Sequence, residues 1–244
     1  MVILEPMTAD RHLPWEGCYN ARDLGGLPLL DGGETRWGTT FRSDNPQRLT
    51  AGSWQHANDL GIRTVIDLRA SHENRPDSRP TDMVSLNIVL NDESDTEFWD
   101  HWGPNGTNLI CTPLYHAAFL DRYPHKIAEV CAAIARAEPG GVLFHCAAGR
   151  DRTGLISVVL LHLVGVEPEA IAADYSLSTE RLAPAWADLD IDDETMAIEK
   201  SITERNTTAR ETVLNTLASL DSARYLRNSG LTSADIDALR ARLR

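Results

Sequence analysis

The fold of this chain is decided by one stretch of sequence, GVLFHCAAGRDRTG at residues 141–154. Residues 141–144 form a short apolar run typical of a buried strand, and the apolar residues 155–164 are long enough for a helix. The loop between them therefore lies at a strand-to-helix junction. Successive backbone N–H groups and the positive end of a helix converge on one point at such a junction, which suits a bound phosphoryl group.

Cys146 and Arg152 lie six positions apart in this loop. A helix N-terminus and nearby cations favour the thiolate form of a cysteine, which is a nucleophile. A guanidinium adds a planar, bidentate grip on phosphate oxygens. Cys146 could instead be a small buried apolar residue, as many isolated cysteines are. The preceding strand, Gly149 in the turn and the charged residues before Thr153 together favour catalysis.

The decapeptide HCAAGRDRTG at 145–154 resembles the signature loop HCxxGxxR[ST]G of the protein tyrosine phosphatase superfamily. More narrowly, it resembles the bacterial and fungal branch with an HCxxGKDRTG loop, which includes dual protein and lipid phosphatases. Arg150 departs from this pattern, because the branch has lysine there and the two cations bind anions differently. Other segments resemble the branch in the same order, so the resemblance covers most of the chain: NARDLGG at 20–26, TFRS at 40–43, VIDLR at 65–69 followed by Glu73, and Asp174-Tyr175.

The resemblance implies a phosphatase that works through a cysteinyl-phosphate. Cys146 would attack phosphorus, and no metal or other cofactor is expected. Electrostatic stabilisation by fixed donors would do most of the catalytic work. The phosphate oxygens would be held by Arg152 and by the loop amides, those of Ala147, Ala148 and Gly149.

Three further loop residues have expected supporting roles. Thr153 can donate a hydrogen bond to the sulfur of Cys146 and ease its departure. His145 precedes the loop and is expected to orient it from a buried position. Arg150 is expected to point to the mouth of the site and widen its positive field, which would suit a second anionic group on a substrate.

The proton donor has three candidates. Asp151 lies inside the loop, where the resemblance places the acid. Asp67 ends a strand expected to run parallel to the signature strand; it could face the same mouth or anchor a loop through hydrogen bonds. Asp100 lies in a Trp-Asp context that loosely resembles the mobile acid loop of other tyrosine phosphatases.

The charged residues of the upstream segments have two interpretations. Arg22, Asp23 and Arg69 either contribute to the mouth of the site or form ion pairs that join the amino-terminal β region to the core. The resemblance suggests the first role, and we favour the structural one for these residues. Arg22, Arg69 and Asp67 are nevertheless kept as candidates for substrate binding.

Strands alternate with helices along the chain, which predicts an α/β fold with a central, mostly parallel sheet flanked by helices. Glycine-rich turns in residues 1–50 indicate a small amino-terminal β region. A helix is predicted to end near Leu60, followed by strands at 62–68 and 84–90, and residues 114–137 are predicted to be helical with an interruption near Pro124. No linker divides the chain, so residues 1–244 are expected to form a single domain.

Two segments have less regular patterns. Residues 91–113 are acidic and aromatic without a clear period, which predicts a long loop that covers the site. Residues 168–176 are predicted to be a helix, and about 180–220 fits either a mobile helical lid or an ordinary packed helical pair. Residues 232–235 are typical of the cap of a final helix.

Composition excludes several classes of protein. The formal net charge of −13 argues against nonspecific binding to nucleic acid or anionic membranes. No stretch reaches the roughly 18 apolar residues of a membrane span, and the amino terminus lacks a signal pattern. We therefore expect a cytoplasmic protein. The chain has four cysteines, Cys18, Cys111, Cys131 and Cys146. No two of them have CxxC spacing, which argues against a zinc site and a disulfide scaffold.

The leading functional interpretation is a phosphatase acting on phosphotyrosine, in a phosphorylated protein or a small phosphomonoester. Phosphoserine, phosphothreonine and phosphoinositides are further candidate substrates. A rhodanese-like sulfurtransferase also places a cysteine in a strand-to-helix loop, but it would not explain Asp151 or the NARDLGG segment. A noncatalytic phosphate-binding module is the third interpretation, and the intact Cys146, Asp151 and Arg152 argue against it. The sequence predicts no oligomeric state.

Overall fold

A central sheet of five strands organises the structure, a computed structural model that describes residues 10–73, 75–103, 106–189 and 193–244. The strands are β1 (Arg22–Asp23), β2 (Thr40–Ser43), β3 (Ile62–Asp67), β4 (Val84–Asn87) and β5 (Gly141–His145). Their order across the sheet is β1-β2-β5-β3-β4. β1 runs antiparallel to β2, and the other neighbours are parallel. This arrangement confirms the predicted α/β class.

β5 lies in the middle of the sheet and is buried along its whole length. A strand covered on both faces is a continuous apolar run, which is why residues 141–144 show no alternation. Val142 and Phe144 belong to one hydrophobic core, and Leu143 belongs to a second core on the opposite face. The carboxyl end of β5, where open parallel sheets bind ligands, leads directly into the signature loop.

Helices cover both faces of this sheet. In chain order they are α1 (Ala51–Asp59), α2 (Thr96–Trp102), α3 (His116–Arg122), α4 (Pro124–Arg136), α5 (Arg152–Leu163), α6 (Pro168–Asp188), α7 (Thr195–Thr203), α8 (Ala209–Ser219), α9 (Ser222–Asn228) and α10 (Ser233–Leu243). α1 contributes Trp54 and Ala57 to the smaller core, and α2 to α6 and α8 to α10 contribute to the larger one. Among the helices of the described ranges, none is long and apolar enough to cross a membrane.

The predicted amino-terminal β region forms one edge of the central sheet instead of a sheet of its own. Arg22 of β1 pairs with Arg42 of β2, and Phe41 of β2 pairs with Leu143 of β5. Pairing between strands so far apart in sequence leaves no local signal. As a consequence, the NARDLGG and TFRS segments lie beside the signature strand.

Residues 91–113 contain a helix, α2, and so differ from the predicted loop. Asp95 caps this helix by accepting a hydrogen bond from the N–H of Phe98. The ring of Phe98 packs edge-on against Trp99 and Tyr123, with centroid distances of 4.9 and 5.1 Å. Aromatic packing, which has no helical period, thus stabilises a helix of only seven residues. Residues 104 and 105 of this segment lie outside the described residues.

The segment at about 180–220 comprises the end of α6 and the helices α7 and α8. α6 has 21 residues, far longer than the predicted helix at 168–176, and it contains Pro184 in its interior. α8 buries Val213 and Leu217 in the larger core, which agrees with the packed-helix interpretation. Motion of this segment as a lid stays a prediction, and residues 190–192 within it lie outside the described residues.

Candidate active site

The signature loop connects the central strand to a buried helix. Cys146 follows β5 directly, and α5 begins at Arg152. The loop borders a cavity of about 700 Å³, whose loop residues are Cys146, Ala147, Ala148, Arg150, Asp151 and Arg152. The end of α6 and the residue that follows it contribute a second, apolar group of lining residues, Leu182, Ala185, Trp186 and Leu189. Cys111, Glu194 and the residues after β2, Asp44, Asn45 and Arg48, complete the lining.

Gly149 allows the loop to turn against the end of β2. Its φ of +67° lies in the left-handed region, which favours glycine. A Cβ at this position would lie 2.3 Å from the carbonyl oxygen of Ser43. The loop and β2 are therefore in direct backbone contact, which only a residue without a side chain permits.

Arg152 is fixed in place by a carboxylate. Its Nη1 donates to Oε1 of Glu73 over 3.0 Å, and most of its side chain is buried. Burial alone would lower the pKa of Arg152, but the charges of Cys146 and Glu73 raise it above its usual value. Glu73 in turn is partly buried, which would raise its pKa, but Arg152 lowers it. The guanidinium of Arg152 is therefore positively charged in the site, and its Nη1 is oriented by the hydrogen bond to Glu73.

Asp151 presents its carboxylate to the cavity. It occupies the N-cap position of α5, yet its side chain makes no capping hydrogen bond. One carboxylate oxygen lies 3.3 Å from Nε of Arg150. The helix therefore does not use this carboxylate, which lines the same cavity as Cys146.

The other two candidate acids lie outside the cavity lining. Asp67 is bound by Arg69, with Nη2 to Oδ2 at 2.7 Å. Burial alone would raise the pKa of Asp67, but the Arg69 hydrogen bonds and His145 lower it. Asp100 is exposed on α2. Of the three candidates, Asp151 is the one that lines the same cavity as Cys146, and its role as the proton donor stays a prediction.

The charged residues of the upstream segments form ion pairs and hydrogen bonds away from the cavity lining. Nε of Arg22, a buried side chain, donates to Oδ1 of Asp174 over 2.9 Å. Asp23 accepts hydrogen bonds from the N–H groups of Gly25 and Gly38. Together with the pairing of Arg69 and Asp67, these contacts match the structural interpretation of the segments rather than direct contact with substrate.

Arg150 is buried and lies between two cavities, and its predicted role at the mouth of the site stays a prediction. It lines the Cys146 cavity and also a neighbouring cavity of about 420 Å³ bordered by α6, α7 and α8. Burial alone would lower the pKa of Arg150, but Asp151 and Tyr175 raise it above its usual value. Its positive charge therefore acts from within the wall of the site.

His145 and Thr153 support the loop from the protein side. Nδ1 of His145 lies 3.2 Å from the carbonyl oxygen of Cys146, and Nε2 lies 3.8 Å from Oδ2 of Asp67. Burial, opposed by Asp67, lowers the pKa of His145 to about 4, so the ring is neutral at physiological pH. The buried Oγ1 of Thr153 has no hydrogen-bond partner among the described residues, so the predicted bond to the sulfur is not formed in this structure.

Three residues in or behind the site, Glu73, Asp174 and Trp186, have no role predicted from the sequence. Glu73 and Asp174 lie in segments that resemble the family, and this position is the signal that the sequence offers for them. Trp186 had none, because its place in the cavity depends on the full length of α6. In the described part of the chain, no group of three or more His, Cys, Asp and Glu side chains could hold a metal ion.

Comparison with known proteins agrees with the geometry. The chain is 32% identical over 180 residues to a candidate tyrosine-protein phosphatase of Cupriavidus necator. The aligned region covers 71% of this chain and 65% of the length of that protein. It is 26% identical over 283 aligned positions to the triple specificity protein phosphatase PtpB of Mycobacterium tuberculosis, covering 95% of this chain and 98% of the relative. A tyrosine-protein phosphatase of Nostoc commune is 30% identical over 146 residues, 55% of this chain and 46% of that one.

A looser structural likeness links the chain to TpbA of P. aeruginosa, solved in complex with phosphotyrosine. The TM-score is 0.39 and the identity 17%, over 73% of this chain and 86% of TpbA, too low to support an inference about the site. The decisive finding is the match of residues 13–244 to the family model described as the tyrosine phosphatase family. Since that match spans nearly the whole chain, the protein belongs to the tyrosine phosphatase family.

Proposed function

We propose that this protein is a cysteine-dependent phosphatase that hydrolyses phosphotyrosine monoesters through a cysteinyl-phosphate. The observation that carries the proposal is the single cavity bordered by Cys146, Asp151 and Arg152. Membership of the tyrosine phosphatase family supports it and argues against the sulfurtransferase alternative.

In the first step, the Cys146 thiolate attacks phosphorus in line with the departing oxygen. The S–P bond forms as the P–O bond breaks, and Asp151 gives its proton to the leaving phenolate. Arg152 and the loop amides stabilise the charge on the remaining phosphate oxygens. The hydrogen bond from Arg152 to Glu73 holds the guanidinium in orientation during this step.

In the second step, water hydrolyses the cysteinyl-phosphate. The Asp151 carboxylate takes a proton from the water as its oxygen attacks phosphorus, and the S–P bond breaks to return the thiolate. Inorganic phosphate leaves, and Asp151 is protonated again for the next cycle. The two steps balance without any other reactant.

The apolar side of the cavity supports phosphotyrosine as the main substrate class. Leu182, Ala185 and Trp186 lie on the same cavity as the nucleophile and offer a surface to an aromatic ring. The relative PtpB is named a triple specificity protein phosphatase, which supports a specificity broader than phosphotyrosine, with phosphoserine, phosphothreonine and phosphoinositides as the candidate further substrates. Arg150, inside the wall, supplies charge for a second anionic group on such a substrate.

Phosphate release and trapping of the intermediate test the proposal. We expect the wild-type protein to release phosphate from 4-nitrophenyl phosphate and from a phosphotyrosine peptide, and acid quenching to leave phosphate on Cys146. Cys146→Ser is expected to abolish both signals. Cys111→Ser is the matched control, because Cys111 lines the same cavity outside the loop and should leave phosphoenzyme formation intact. A wild-type protein that binds phosphopeptide but releases no phosphate would favour the noncatalytic module instead.

We also propose the domain organisation and the cellular environment of the protein. One sheet with a core on each face supports a single phosphatase domain over the described chain. The cysteines Cys18, Cys111, Cys131 and Cys146 are all free thiols, which supports a reducing, cytoplasmic environment for the nucleophile. Limited proteolysis and cell fractionation would test these two proposals.

A further inference from the structure

Three consecutive carbonyl groups of the signature loop are bound by the amino-terminal segments. The three donor-to-acceptor distances are within 2.9 Å. One donor belongs to the NARDLGG segment, one to β2 and one to the turn after β2. From nitrogen to oxygen, the bonds are Asn45 N to Ala147 O (2.8 Å), Asn20 Nδ2 to Ala148 O (2.9 Å) and Arg42 Nη2 to Gly149 O (2.6 Å).

The direction of these carbonyls decides the direction of the neighbouring N–H groups. In a trans peptide unit, the C=O and the following N–H point in opposite directions. Binding the three carbonyls on one side therefore turns the N–H groups of Ala148, Gly149 and Arg150 to the other side. These three N–H groups donate to no protein acceptor within the described chain, so they are available to an anion.

Asn20 is itself oriented by a buried arginine. Nη1 of Arg22 donates to Oδ1 of Asn20, and a guanidinium can only donate. The amide of Asn20 must therefore turn its Nδ2 away from Arg22, toward the carbonyl of Ala148. Asn20 is 1% exposed, so its amide is held by these protein contacts within the buried interior.

Asp174 of α6 binds both arginines behind the loop, Arg22 and Arg42. Its Oδ2 accepts from Nη1 of Arg42 over 2.8 Å, and its Oδ1 accepts from Nε of Arg22 over 2.9 Å. Arg42 thus donates from Nη1 to Asp174 and from Nη2 to the loop carbonyl of Gly149. All three charged side chains are at most 2% exposed, where a hydrogen bond cannot be replaced by water.

We propose that Asn20 and Arg42 are positioning residues, which hold the loop carbonyls back so that the loop N–H groups face the phosphate before it binds. The inference rests on the proposed function, since it concerns the same loop. Donors fixed in advance stabilise the charge of the transition state without any reorganisation during the reaction.

Two substitutions remove the positioning contacts with little change of shape. Asn20→Asp keeps an oxygen for Arg22 but places an acceptor opposite the carbonyl of Ala148. Arg42→Lys keeps the charge beside Asp174 but cannot reach both acceptors from one nitrogen. Arg11→Gln is the matched control, because Nη1 of Arg11 also donates to Asp174 over 2.8 Å and Arg11 has no bond to the loop.

The experiment measures kcat and KM for 4-nitrophenyl phosphate, the inhibition constant of vanadate, and the thermal midpoint. We expect Asn20→Asp and Arg42→Lys to lose about 10- to 100-fold in kcat, with a matching rise in the vanadate constant. Arg11→Gln is expected to lower the thermal midpoint alone. A purely structural role would lower the midpoint of all three variants and leave kcat and vanadate inhibition unchanged in the folded protein.

Two results would overturn the inference in different ways. If Asn20→Asp and Arg42→Lys keep the wild-type vanadate constant, the carbonyl bonds do not position the loop. If the wild-type protein neither hydrolyses the ester nor binds vanadate, the proposed function is wrong and this inference is wrong with it. Should Arg42→Lys fail to fold, Asn20→Asp decides alone.

Discussion

Replacing Gly149 by alanine is expected to remove most activity while the protein stays folded. The left-handed backbone at φ +67° costs an alanine about 1 kcal/mol. The added methyl group would also lie 2.3 Å from the carbonyl oxygen of Ser43, whereas ordinary van der Waals contact begins at 3.4 Å. The loop and the end of β2 must therefore separate by roughly 1 Å, and a shift of that size at reacting groups costs about 100-fold in rate.

Gly61 offers a matched control for the backbone cost. Its φ is +81°, and a Cβ there would meet nothing within 4 Å. Gly61→Ala is expected to keep the wild-type kcat/KM, and both variants are expected to lose about 2–4 °C in thermal midpoint per kcal/mol of strain. The assays are steady-state hydrolysis of 4-nitrophenyl phosphate and thermal denaturation followed by circular dichroism.

The outcome separates two explanations of the glycine. If Gly149→Ala retained full kcat/KM, the contact with Ser43 would not hold the loop, and the geometric argument would be wrong. If Gly149→Ala and Gly61→Ala lost activity equally, the loss would come from the strain of a positive φ at alanine and not from the contact with Ser43. A selective loss in Gly149→Ala supports close contact between β2 and the loop as a requirement for the chemistry.

Three further predictions concern the charged residues around the loop. Asp151→Asn is expected to slow hydrolysis of an alkyl phosphate by about 100-fold while changing that of 4-nitrophenyl phosphate little, and equal losses in a leaving-group series would rule Asp151 out as the acid. Glu73→Gln removes the carboxylate that holds Arg152, so we expect weaker inhibition by inorganic phosphate; an unchanged inhibition constant would show that Arg152 does not need Glu73. Burial lowers the pKa of His145 from 6.5 to about 4, so the unfolded chain binds a proton in this range that the folded protein does not. The free energy of unfolding is therefore expected to fall as the pH drops from 6.5 toward 4, and urea denaturation should show a smaller fall in His145→Gln.

The strand-loop-helix unit could be predicted from the sequence because its signals are local. An apolar run, a glycine and a second apolar run define β5, the loop and α5 without reference to the rest of the chain. The residues on this unit, Cys146, Asp151 and Arg152, accordingly reach the same cavity. Their chemical roles stay predictions until the variants are assayed.

The remaining parts of the site depend on contacts between distant segments. Arg150 is predicted to point to the mouth of the site, and its burial in the wall between two cavities depends on segments far apart in sequence. Asp67 was a candidate to face the same mouth, but it is bonded to Arg69 and lies outside the lining of the Cys146 cavity. Helix α2 escaped detection because ring packing with Tyr123 stabilises it, and such packing leaves no period in the sequence.

Pro184 divides α6 into two parts with separate tasks, which matters for protein engineering. The first part carries Asp174, and the last turn carries Ala185 and Trp186. Proline has no N–H, so the usual link to the carbonyl of Glu180 is absent at the junction between the parts. Libraries that diversify substrate selectivity can therefore target the last turn while the anchored part of the helix, and the catalytic loop it supports, keep their structure.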